Sequence, residues 1–157
     1  MSGTVVLGIG NPLGGDDAAG PYLVCMLNRK QQTTGNPSVE ITTIDAATAP
    51  ESYTSVIRRQ RPDLLILVDA ADMGLPPGAM RIIPPRKISV LSFSTHHMPL
   101  STFVSYVQDF CGKVMLVGVQ PQQTDMGDHI STVVRKSMME LVKAIIEDRV
   151  AEIPPLK

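Results

Sequence analysis

Two adjacent carboxylates, Asp16 and Asp17, close the glycine-rich stretch GIGNPLGGDD that follows an apolar run near the start of the chain. A third, Asp69, ends the apolar run LLILVDA, and two histidines, His96 and His97, stand in STHHMPL just ahead of a helical pattern. Carboxylates and imidazoles serve as general acids and bases, and together they ligate divalent first-row metals. A glycine-rich turn opening a helix usually cradles phosphate on free backbone N–H groups. Here two negative side chains sit at that position, and the spacing Gly8-x-Gly10-x-x-x-Gly14 misses the dinucleotide fingerprint by one residue, which argues against a nucleotide.

Each of these residues also has a plain structural reading. One aspartate of the pair suits a cap on the first helix, where a carboxylate accepts from orphan N–H groups and favours the dipole. The second gains less at the same turn and is repelled by its neighbour. Asp69 fits a strand-end residue bonded to loop amides, and a histidine before a helix often only caps or packs. Brought to one crevice, two carboxylates and an imidazole bind a divalent metal and leave its shell open to water or substrate donors. No Ser-His-Asp or Cys-His arrangement and no G-x-S-x-G elbow is visible, so a covalent nucleophile is not expected.

The elements that must position these groups follow from hydrophobic patterning. Near-continuous apolar runs at Thr4–Ile9, Leu64–Ala70 and 114–119 suit parallel strands covered on both faces, and more polar runs at 39–44 and 79–83 suit outer strands. Helical patterns fall at 18–31, 50–59 and 99–110, and the clearest begins at residue 130, with Ile130, Val134, Met138, Leu141 and Ile145 on one face. Pro84-Pro85-Arg86-Lys87 reads as a turn into a surface loop. Strands alternating with helices predict a single three-layer α/β/α domain over residues 1–150, with a mainly parallel, twisted sheet of about five strands. Residues 151–157 read as a flexible tail. In such sheets the functional crevice lies beyond the carboxyl ends of the strands, where Asp17 and Asp69 fall.

Composition narrows the partners. The chain has 157 residues, 43% hydrophobic and 18% charged, and a formal net charge of −1, which gives no electrostatic reason to expect nucleic acid or an anionic membrane. No apolar run approaches the roughly 20 residues of a membrane span, and no signal-like N-terminal stretch is seen, so a cytoplasmic protein without membrane insertion is expected. Cys25 and Cys111 lie within apolar helical patterns and read as reduced, buried thiols.

The sequence resembles the hydrogenase maturation proteases, endopeptidases that trim the C-terminus of the large subunit of NiFe-hydrogenases. The resemblance runs over most of the chain: GIGNPLGGDDAAGP, IDAATAPE, LLILVDAADMGLPPGAMRIIPP, STHHMPL and VMLVGVQP, in that order. The middle and histidine blocks are most similar to the branch serving formate-hydrogenlyase and other energy-converting hydrogenases. The resemblance implies an α/β domain, aspartic-type or metal-assisted proteolysis, and a catalytic and metal-responsive set of Asp17, Asp69 and His96, with His97 as understudy and Asp16 as the helix cap. It also implies a precursor of the large subunit as partner and nickel, already inserted in that precursor, as the metal. One departure is Asp45-Ala46-Ala47, where relatives usually show D-G-G. Two other readings compete: a peptidyl-tRNA hydrolase-like enzyme, disfavoured by the charge and by a missing histidine block, and a non-enzymatic nickel or docking chaperone.

Overall fold

The computed structural model describes residues 3–34, 40–93, 98–127 and 129–157. In chain order the elements are β1 (Thr4–Ile9), α1 (Ala19–Thr34), β2 (Ile41–Ala47), α2 (Thr54–Gln60), β3 (Leu64–Ala70), β4 (Met80–Ile82), α3 (Pro85–Ile88), α4 (Leu100–Val107), β5 (Lys113–Val119) and α5 (Thr132–Ile146). The sheet runs β2-β1-β3-β5-β4; its first four strands are parallel, and β4 pairs antiparallel with β5. Alternation along each strand splits the core in two. Val6, Ile66, Val68 and Val117 pack with Leu23 and Leu27 of α1 and Met138 and Leu141 of α5. Val5, Leu7, Leu65, Leu67 and Leu116 pack on the opposite face with Ile57 of α2 and Phe103 and Val107 of α4. Expected strands and helices are present, and the sheet is mainly parallel.

Several local expectations are revised. The helix expected at 50–59 is a 3-10 turn, Pro50–Tyr53, leading into α2, and 84–87 contributes to the short helix α3 rather than a loop. The second strand starts and ends later than its polar pattern suggested, taking in Asp45-Ala46-Ala47. Residues expected to form a loose tail are bonded along β4: Ile82 N–H donates to the Pro154 carbonyl at 3.0 Å and Leu156 N–H to the Ile82 carbonyl at 2.9 Å. The cysteines are not buried thiols, since Cys25 is exposed on α1 and Cys111 is half-buried. Burial pushes the Cys111 thiol up to about 11, against a smaller opposing effect of Arg61. No helix among the described residues is long and apolar enough to cross a membrane.

The glycines of the first turn serve packing, not phosphate. A Cβ on Gly20 would lie 2.3 Å from the Ile9 carbonyl oxygen and 2.4 Å from the Ile9 nitrogen, so the first turn of α1 rests backbone to backbone on β1. Gly10, at φ 153°, has no room either: its Cβ would fall 1.8 Å from the Asp17 carbonyl oxygen. At the departure noted above, Ala47 stands at φ 49°, the left-handed region that favours glycine. Its N–H donates to Asp45 Oδ1 at 3.0 Å and its carbonyl accepts from Gly10 N–H at 2.7 Å, which hold the strained turn in place.

Two substitutions of opposite sign test these steric statements by chemical denaturation. Gly20→Ala forces backbone apart and is expected to cost about 3 kcal/mol or more. Ala47→Gly relieves a left-handed strain of about 1–2 kcal/mol at the expense of a more flexible unfolded chain, and is expected to stabilise by about 0.5–1 kcal/mol.

Candidate active site

The carboxyl ends of β1, β3 and β5 open onto one cleft of about 370 Å³. Its lining includes Asp17, Ala70, Ala71, Asp72, Phe93 and the segment 120–124. Asp17 comes from a 3-10 turn, Gly15–Ala18, set between β1 and α1. It is half-buried, and its N–H donates to the Gly14 carbonyl at 3.0 Å. Asp69 is the penultimate residue of β3, opposite Gly118 of β5, and has no exposed surface. By strand alternation it shares the face of Leu65 and Leu67, the side covered by α4. Asp69 does not itself line the cleft, but the next two residues, Ala70 and Ala71, do. Neither Asp17 nor Asp69 is an unpartnered carboxylate.

The third expected group, His96, and its neighbour His97 lie outside the described residues. The chain leading to them reaches the site, since Ser92 and Phe93 line the cleft. Among the described residues, no group of three His, Cys, Asp or Glu side chains is arranged to hold a metal ion. Of the expected set, the described lining of the cleft therefore includes Asp17, while Asp69 lies in the adjoining strand without lining it.

Asp16 does not cap the first helix. The 3-10 turn has no side-chain cap, and the Asp16 carboxylate, with no exposed surface, turns instead to the segment after β5. Its Oδ2 accepts from Gln122 N–H at 2.7 Å, Gln123 N–H at 3.0 Å and Ser131 Oγ–H at 2.8 Å, and its Oδ1 accepts from Ser131 N–H at 2.7 Å. Ser131 is the N-cap of α5. Patterning in sequence had no access to this, because the donors lie 106 to 115 residues away.

Two further residues of the cleft were not singled out in the sequence. Gln120, the nearly buried residue after β5, accepts from Met73 N–H at 2.7 Å and Leu75 N–H at 3.3 Å, and its Nε2 donates to Asp72 Oδ1 at 3.1 Å. Gly74 N–H also donates to Asp72 Oδ1, at 3.2 Å. These donors, Gln120 foremost, hold the Asp72 carboxyl below the ordinary aspartate range, against a small opposing effect of burial. The signal available was the abrupt end of the apolar run VMLVGV in a glutamine and a proline. No lysine or arginine is among the described residues that line the cleft, so its walls carry the charge of Asp17 and Asp72 and the dipoles of amides. That surroundings suit a cation and repel a phosphate.

Comparison with known proteins agrees with this architecture. The family model for hydrogenase maturation proteases matches residues 21–148. The hydrogenase 3 maturation protease of Escherichia coli strain K12 is 39% identical over 118 residues, which cover 74% of this chain and 72% of that protein. Among solved structures, the endopeptidase HycI from Escherichia coli is similar with a TM-score of 0.84 at 30% identity, covering 100% of this chain and 97% of that one. HycI from Thermococcus kodakarensis KOD1 is similar with a TM-score of 0.80 at 30% identity, covering 94% and 92%.

The Gln120–Asp72 bond makes a pH-dependent prediction. Because the folded Asp72 value is depressed, the bond favours the folded state above the unfolded aspartate value of about 3.9 and loses that effect as pH falls through the lower folded value. In Gln120→Ala the largest of the lowering contacts is gone, so the Asp72 carboxyl titration followed by NMR is expected to move up toward the ordinary range. An unmoved midpoint would show that Gln120 does not set it.

Proposed function

The chain belongs to the hydrogenase maturation protease family, and from that premise we propose that it removes the C-terminal extension of a NiFe-hydrogenase large-subunit precursor once nickel is in place. The observation that carries this reading is the acidic cleft at the carboxyl edge of the sheet, with Asp17 on its wall, Asp69 at the end of the adjoining strand and no cationic side chain among its described lining.

Nickel in this reading belongs to the substrate. Thiolates of the precursor hold it, and Asp17, Asp69 and His96 complete its shell while the precursor is docked; carboxylate and imidazole donors both suit a divalent first-row ion. Docking then depends on metal loading, which makes proteolysis a checkpoint. The hydrolysis consumes one water. Its oxygen adds to the scissile carbonyl carbon, its proton passes to a carboxylate, the C–N bond breaks, and the proton leaves on the new amine. Asp17 suits the role of base because it is half-buried on the cleft wall, whereas Asp69 has no exposed surface. A tRNA substrate is disfavoured by Asp17 and Asp72, the two carboxylates that line the cleft.

Intact-mass spectrometry of the large subunit tests the proposal. Incubation with this protein is expected to shorten the nickel-loaded precursor by its C-terminal extension and to leave the metal-free precursor unchanged. Asp17→Asn, Asp69→Asn and His96→Ala are each expected to lower the cleavage rate by about 10²-fold or more, the scale of a lost acid, base or ligand. Equal cleavage of metal-free precursor would refute the checkpoint, and a precursor of unchanged mass in every condition would favour a docking chaperone.

A further inference from the structure

We propose that Asp16 is a positioning residue of the cleft, clamping the turn that carries Asp17 to the cleft-lining residues Gln122 and Gln123 and to the start of α5. The inference rests on the reading of Asp17 as a reacting group given above. A carboxylate without exposed surface and with four donors at 2.7 to 3.0 Å is committed to those donors, and all four are backbone N–H or hydroxyl groups, of residues 122, 123 and 131. The contact is two-sided: Asp16 N–H donates back to the Gln123 carbonyl at 2.7 Å, so residue 16 grips the wall through both main chain and side chain. Gly15, at φ 60°, lets the two segments approach, because a Cβ there would meet the Gln123 carbonyl oxygen at 2.7 Å.

Both carboxylate oxygens are held, one on Ser131 N–H and the other on Gln122, Gln123 and Ser131 Oγ, so the Asp16 side chain cannot swivel. Its neighbour Asp17 follows directly in the same 3-10 turn, and the direction of the Asp17 side chain into the cleft is thereby set relative to the wall it faces. An asparagine at 16 does not reproduce this. Whichever way its amide turns, an N–H is brought against backbone N–H donors, and that contact opens. A reacting carboxylate displaced by about 1 Å loses on the order of 10²-fold in rate, so the expected defect is in catalysis and not in stability alone.

The test compares wild type, Asp16→Asn, Ser131→Ala, Asp17→Asn and the control Val142→Ala, which truncates the buried face of α5 away from the cleft. All are assayed on the nickel-loaded precursor at a temperature where circular dichroism shows them folded. Asp16→Asn is expected to lower kcat by about 10–100-fold, with a smaller change in KM. Amide hydrogen exchange is expected to speed at least tenfold at Gln122, Gln123 and Ser131 but not at Leu116 and Val117 in β5. Val142→Ala is expected to keep the wild-type kcat. Wild-type kcat in Asp16→Asn, or unchanged exchange at the three amides, overturns the inference. So does an equal fall of kcat in Val142→Ala. Should Asp16→Asn not fold, Ser131→Ala carries the test, with a fall of a few-fold expected and no fall overturning it. Full activity in Asp17→Asn would sink the underlying site assignment, whereas a dead Asp17→Asn beside an unimpaired Asp16→Asn would sink only the positioning role.

Discussion

Direct backbone contact between β1 and the start of α1 is the constraint on which the site depends. Gly8 would place a Cβ 2.3 Å from the Gly20 carbonyl oxygen, and Gly20 one at the same distance from the Ile9 carbonyl oxygen, so the helix sits on the strand with no side chain between. The chain must then reverse within the few residues between Ile9 and Ala19. That tight reversal delivers a 3-10 turn with two carboxylates to the edge of the sheet. A bulkier residue at any of these points would lift α1 and move Asp17 away from β3.

Once the turn is there, electrostatics divides the two aspartates. Asp16 is fully buried without an ion pair among the described residues, an arrangement that costs several kcal/mol unless charge-assisted hydrogen bonds offset it. Four donors do so, each worth about 1.5–3 kcal/mol, and one belongs to the N-terminus of α5, where a negative charge is favoured. Asp17 remains on the cleft wall. The same logic recurs at Gln120, which ties the loop after β3 and holds the Asp72 carboxyl below its ordinary range. The cleft lining is thus hydrogen-bonded amide framework bearing negative charge, a setting that suits a cation and repels a polyanion.

Ala47, in the stretch Asp45-Ala46-Ala47, has a local structural consequence. Position 47 needs a left-handed backbone, which glycine adopts freely and Ala47 adopts at φ 49°, braced by Asp45. The alanine therefore strains the end of β2, where β1 and β2 shift register.

Sequence alone was enough to determine the alternation of strands and helices, the parallel core strands β1, β3 and β5, the amphipathic α5 and the family, because apolar periodicity and contiguous motifs are local properties of the chain. It also placed Asp69 near the end of an apolar strand and Asp17 in the turn between β1 and the first helix, since an apolar run that stops in a carboxylate marks the edge of a sheet. The partners of Asp16, the clamp of Gln120 on Asp72, the exposure of Cys25 and the pairing of residues 154–156 with β4 were decided only in three dimensions. Apart from the exposure of Cys25, each is a contact between segments tens to more than a hundred residues apart, and whether a carboxylate caps its own helix or reaches across to another depends on which donors the folded chain has left unsatisfied beside it.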